Sequence, residues 1–134
     1  MKKLLIACSL LLLLSFTVAA QDERLRDAPK SFRTFYASFI RAVERSDKKA
    51  VASMTTFPFT WRLDAGDEGR YTRTQFIRNF KRLFGDDPRD ALPGDDPSYG
   101  REGRKYYIST EDASHFGFLK TGRTYKFVSY IVEP

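Results

Sequence analysis

His115 is the single histidine of the 134-residue chain. With Asp64 as a second base, and with Tyr71, Tyr106 and Tyr107 as hydroxyls able to polarise a carbonyl, it makes up the acid–base equipment a cofactor-free isomerase or hydratase would need. Such a reaction requires a base held by an orienting partner and lifted toward neutral pH by burial. The spacing of these residues supplies no such pair. His115 stands beside Ser114 at the start of a strand-like segment, where a lone histidine is ordinarily structural. Asp64 sits at the edge of a turn, where aspartate commonly serves local hydrogen bonds. Packing in a sheet explains the tyrosines equally well. Asp64, His115 and Tyr71 are therefore candidates without a mechanism.

Other site chemistries fare no better. Asp86, Asp87, Asp90, Asp95 and Asp96 crowd one Pro- and Gly-rich stretch and are hard oxygen ligands. The ordered D-x-D-x-D-G spacing of a calcium loop is missing, so the stretch reads as a solvated loop and no metal is expected. Cys8 is the only cysteine. It falls inside the apolar leader, which leaves nothing for thiol catalysis, disulfides or zinc-thiolate sites in the remainder. No cofactor is expected.

The leader itself is informative. Met1-Lys2-Lys3 is a basic start, Leu4 to Phe16 is an apolar run, and Val18-Ala19-Ala20 supplies small residues before Gln21. That is the three-part pattern of a signal peptide cleaved after Ala20. The run is too short and too soon followed by Gln21-Asp22-Glu23-Arg24 to span a bilayer, which takes about 20 apolar residues. Leu5-Ile6-Ala7-Cys8 resembles a lipobox, but the apolar block follows the cysteine instead of preceding it. The expectation is a periplasmic or secreted protein with no stable membrane anchor. Cleavage removes two of 23 basic residues against 17 acidic ones, and the mild positive excess that is left does not make a nucleic-acid binder.

Residues 28–134 are enough for one domain. Its core must come from aromatic side chains: all seven Tyr and every Phe but Phe16 lie beyond the leader. Phe32, Phe35, Tyr36, Phe39, Ile40 and Val43 form the stripe of an amphipathic helix. Ser46-Asp47 marks a break and a new cap ahead of a short helix, Lys48 to Met54. Alternation through Phe57, Phe59, Trp61 and Leu63 predicts a strand, turned at Asp64–Gly69 into a return strand at Arg70-Tyr71. Thr72-x-x-Gln75 is a capping box for a third helix carrying Phe76, Ile77, Phe80, Leu83 and Phe84, closed by Gly85. An exposed loop is expected over 85–103. Strands follow at Arg104–Thr110, Ser114–Lys120 and Arg123–Val132, the last two joined by a tight turn at Thr121-Gly122.

This order, together with the aromatic first helix, the Asp47-Lys48-Lys49-Ala50-Val51 second helix, the Phe57-Pro58 strand entry, the Thr74–Phe80 helix and the Phe116–Phe127 hairpin, resembles the nuclear transport factor 2-like superfamily, in particular its small exported members. The resemblance implies an α+β fold in which three helices of the N-terminal half pack on a curved antiparallel sheet to form a cone. It also implies a pocket at the wide end, and Phe35, Phe39, Phe59, Trp61, Tyr107, Phe118 and Phe127 are the expected lining. Members include isomerases, dehydratases and cyclases of the ketosteroid isomerase and polyketide cyclase type, and others that only bind partners, so the fold does not choose a function.

Two functions follow as expectations. The favoured one is an exported, non-catalytic binding module that holds a small apolar molecule in the cone or docks a protein on its sheet, with homodimerisation through that sheet. The alternative is an isomerase or dehydratase acting on a hydrophobic carbonyl substrate, with Asp64 or His115 as base and a tyrosine polarising the carbonyl.

Overall fold

The computed structural model describes residues 25–94, 97–110 and 112–133. The expected signal peptide, 1–20, lies outside the described residues, as do Asp95 and Asp96 of the acidic stretch. Helix α1 (Lys30–Glu44) follows Pro29 and buries Phe32, Tyr36, Phe39 and Val43 along one face, the spacing a 3.6-residue period requires. Helix α2 (Lys48–Ser53) starts where Asp47 accepts the Ala50 N–H at 3.1 Å. The chain then forms a hairpin of β1 (Thr55–Asp64) and β2 (Asp67–Tyr71). Helix α3 (Arg73–Arg78) opens on the expected capping box: Thr72 Oγ1 accepts the Gln75 N–H at 3.3 Å, and Gln75 Oε1 accepts the Thr72 N–H at 2.9 Å.

The third helix is not continuous. Asn79 interrupts it, and a separate helix, α4 (Phe80–Phe84), follows. The Asn79 side chain donates to the Gln75 carbonyl at 2.8 Å, where the Asn79 backbone N–H also binds, the local competition that bends helices at such residues. The buried stripe of Phe76, Phe80, Leu83 and Phe84 runs on across the break. At the end, Gly85 takes φ +78 and donates to Lys81 O at 2.7 Å, a conformation that suits glycine.

Residues 85–94 and 97–103 are more ordered than a solvated loop. A 3-10 turn forms at Pro88–Ala91 with Pro88 buried, and Ser98–Glu102 is a strand, β3. It pairs antiparallel with β4 (Lys105–Ser109). Strands β5 (Ser114–Thr121) and β6 (Thr124–Val132) form the expected hairpin, with Thr121 opposite Thr124.

The strands make one sheet in the order β2-β1-β6-β5-β4-β3. One junction departs from the expected antiparallel pattern: β1 and β6 run parallel. The long connection between these strands leaves their relative direction free, whereas each tight hairpin imposes the antiparallel one. The sheet is curved and unclosed, with helices on its inner face, a cone-like α+β architecture.

Aromatic rings fill the space between helices and sheet. Phe39 lies 4.7 Å from Phe127 and 5.2 Å from Phe118, centroid to centroid, and Phe127 in turn lies 4.7 Å from Phe59. Phe59 reaches Phe76 of α3 at 5.0 Å, and Phe32 reaches Tyr106 at 5.0 Å. Burial of each such ring contributes roughly 1.5–3 kcal/mol, and ring pairs in these tilted and edge geometries add about 0.5–1.5 kcal/mol.

Candidate functional site

The seven residues expected to line a cavity divide among three environments. Phe39, Phe59, Phe118 and Phe127 have no exposed surface and pack on one another. Phe35 is half-buried against Phe118 and Tyr125, while Trp61 is buried near the β1–β2 edge. Tyr107 belongs elsewhere: it alternates with buried Tyr106 and Ile108 and so faces outward.

The three acid–base candidates are not brought together. Tyr71 is buried on the inner face, its ring stacked on Trp61 at 5.1 Å. His115 is half-buried on the outer face, between inward-facing Ser114 and Phe116. Asp64 ends β1, is exposed, and accepts the Ala65 N–H at 2.7 Å, the local turn bond expected of aspartate. Sequence reading missed the partner of His115: its Nδ1 and Ser109 Oγ share a hydrogen bond of 2.7 Å. The β4–β5 register puts the two residues opposite each other, and only that register reveals the pair.

The outer face can be read row by row from the ladder. One row runs Glu68, Arg62, Ile131, His115, Ser109, Ser98 across all six strands. The next runs Arg70, Thr60, Ser129, Gly117, Tyr107, Gly100. Tyr107 thus has a glycine on each neighbouring strand: the space above Gly100 is open, while the Ser129 side chain and a Val128 methyl lean over Gly117. Leu119, Val128 and Ile131 are half-buried on this side of the sheet, while α1, α3 and α4 pack their rings against the other. At the β1–β2 end, Arg62 Nε donates to Glu68 at 2.8 Å.

Near Trp61 the inner face ends in a charged lid. The Arg82 guanidinium lies 4.8 Å above the indole and donates to Asp67 Oδ1 at 2.5 Å. Asp67, and to a lesser degree Tyr71, hold that guanidinium above its ordinary pKa. Trp61 Nε1 and the Tyr71 hydroxyl are buried and make no hydrogen bond of good geometry among the described residues. For the Trp61 indole N–H, being left unpaired costs about 1–3 kcal/mol.

Clefts open on the surface among the described residues. One of about 560 Å3 lies between the end of α1 and the 3-10 turn, lined by Glu44, Arg45, Asp86, Asp87, Pro88 and Arg89. Within it Arg89 grips Asp87 with Nε at 2.9 Å and Nη2 at 2.7 Å, and Asp86 pairs with Lys81 outside the cleft. The second, about 350 Å3, separates α1 from α2, with Arg41 and Arg45 on its rim. Among the described residues no cluster of three or more carboxylate, histidine or cysteine side chains could hold a metal ion.

No protein-family model matches the chain, and no curated protein sequence matches it. Solved structures do. A nuclear transport factor 2-like protein of unknown function from Silicibacter pomeroyi DSS-3 is 15% identical, with a TM-score of 0.46, over 77% of this chain and 92% of its own. A second such protein, from Pseudomonas putida KT2440, is 8% identical with a TM-score of 0.44, over 75% of this chain and 81% of its own. A protein provisionally named a ketosteroid isomerase, from Kribbella flavida DSM 17836, is 13% identical with a TM-score of 0.44, over 78% and 79%. These likenesses concern the fold alone.

Proposed function

We propose that this is an exported, non-catalytic binding module that works through the outer face of its sheet, and that the occupant of that face is a second copy of the chain. The observation that carries the reading is the contrast between the two faces. Inside, Phe39, Phe59, Phe118 and Phe127 occupy the space that a ligand would need. Outside, Tyr107, Leu119, Val128 and Ile131 are half-buried, with Tyr107 beside the open space above Gly100, and aromatic side chains are frequent anchors of interfaces. Export rests on the basic, apolar and small-residue order of Met1 to Ala20.

Size and charge both bear on a self-complementary contact. Six strands about 4.8 Å apart, each some six residues of about 3.3 Å, give a face of roughly 24 by 20 Å before side-chain relief is added. That outline is about 480 Å2, below the ~800 Å2 each partner contributes to a standard interface and closer to the lower end of specific contacts. The row through Ile131 holds both signs, Arg62 and Glu68, so two copies related by a two-fold axis need not oppose like charges. A joint action of Tyr71 and His115 is disfavoured because they point to opposite sides of the sheet; of the tyrosines, Tyr107 is the one that shares the outer face with His115. A charge placed on the outer face tests the reading: Ile131→Asp should abolish association while leaving the far-UV circular dichroism unchanged.

A further inference from the structure

Trp61, Tyr71, Arg82 and Asp67 meet at the β2 edge of the sheet, away from the outer face. We propose that they form a binding site for a small organic carboxylate, which Asp67 occupies from within the chain. Every group but Asp67 can donate, the Tyr71 hydroxyl being able to accept as well. The indole N–H of Trp61 can only donate, and it is buried with no acceptor among the described residues. The Tyr71 hydroxyl is equally buried beside it, and the two side chains are each only 7% exposed. Arg82 brings a guanidinium fork, the group best matched to the two oxygens of a carboxylate.

Asp67 satisfies only part of this set. It binds Arg82 at 2.5 Å, yet Trp61 Nε1 stays unpaired. The Arg82 and Asp67 side chains are 48% and 44% exposed, so the pair can open without disturbing the core. An exposed ion pair of this kind is weak. An incoming carboxylate therefore competes with Asp67 for the fork, and reaching the indole N–H or the phenol, both fully covered, requires the Arg82 side chain to move off the ring. The neighbouring cation on α4, Lys81, is committed to Asp86. A guanidinium fork presents two parallel donors, which match the two oxygens of a carboxylate. The site is independent of the outer-face reading, because it draws on inner-face and edge residues alone.

Trp61 is the only tryptophan, so one indole N–H resonance reports the site in a 15N-labelled sample. Butyrate is titrated against chloride at equal ionic strength. The expected result is a saturable downfield shift of that resonance, with chloride inert. Asp67→Asn, which removes the internal competitor, should bind butyrate about tenfold more tightly, and Arg82→Gln should lose the saturable shift. Both substitutions lie at the surface, and dispersed amide spectra will show that the variants fold. The proposal is overturned if the wild-type indole signal stays in place up to ~100 mM butyrate, where even a single weak contact registers. It is also overturned if Arg82→Gln binds as tightly as Asp67→Asn.

Discussion

Trp61 and Gly69 stand opposite each other across the β1–β2 ladder, and a Cβ at Gly69 would come within 3.2 Å of the indole Cζ2. The glycine lets the indole lie flat on the edge strand, under Arg82 and against Tyr71. Gly69→Val should push the ring away from β2. Overpacking of this kind costs about 1–3 kcal/mol, and a red shift of the single-tryptophan emission should accompany it.

Phe127 is the hub of the interior, with ring neighbours on α1, β1, β5 and α4. Phe127→Ala should destabilise the protein by about 3–5 kcal/mol in chemical denaturation, a large part of the roughly 5–15 kcal/mol typical of a domain. Tyr107→Ala, on the outer face, should change the unfolding free energy of the isolated subunit far less. Comparable losses at the two positions would mean that Tyr107 is core and that the outer face is misassigned.

The capping box at Thr72 and Gln75 holds the start of α3. Thr72→Ala removes the side-chain acceptor for the Gln75 N–H and should cost about 1 kcal/mol, read as a lowered thermal midpoint. Thr72→Ser keeps the hydroxyl and should restore most of it.

Alkali should unfold the protein through its tyrosines. Tyr36 and Tyr130 have raised pKa values because burial disfavours the phenolate; burial likewise leads at Tyr99 and Tyr106, where it is joined by neighbouring tyrosines. A raised folded-state pKa means stability that is complete below the unfolded value of 10.0 and is lost as pH rises above it. Absorbance at 295 nm should therefore show the ionisation of these four phenols displaced above that value and accompanying loss of the fold. Tyr36→Phe should make the stability less steeply dependent on pH above that value.

What could be read from the chain tracks how local each signal is. The Thr72–Gln75 box, the Asp47 cap and the tight turn around Gly122 depend on neighbours in sequence, and all are present. Strand β3 has only Tyr99 as a large apolar residue and lies on an edge, so its composition resembles a loop. The parallel meeting of β1 with β6 sets Thr60 beside Ser129, residues from opposite halves of the domain, which no local pattern encodes. Whether Phe39 and Phe118 border a cavity or touch each other depends on sheet curvature, and the same apolar stripe serves either. Tyr106 and Tyr107 are indistinguishable by type; only the ladder sends one in and the other out. Arg82 sat on the polar side of a helix, and nothing in the spacing announced that it would cover Trp61.

Self-association through the outer face fixes the mass of the particle in solution, and sedimentation equilibrium reads that mass without assumptions about shape. The chain from Gln21 to Pro134, over a concentration series, should return twice the chain mass for the wild type at micromolar concentration. Ile131→Asp should return the single-chain mass under the same conditions. A wild-type protein that stays monomeric throughout the series, or an Ile131→Asp variant that dimerises as readily as the wild type, would show that the outer face is not where two copies meet.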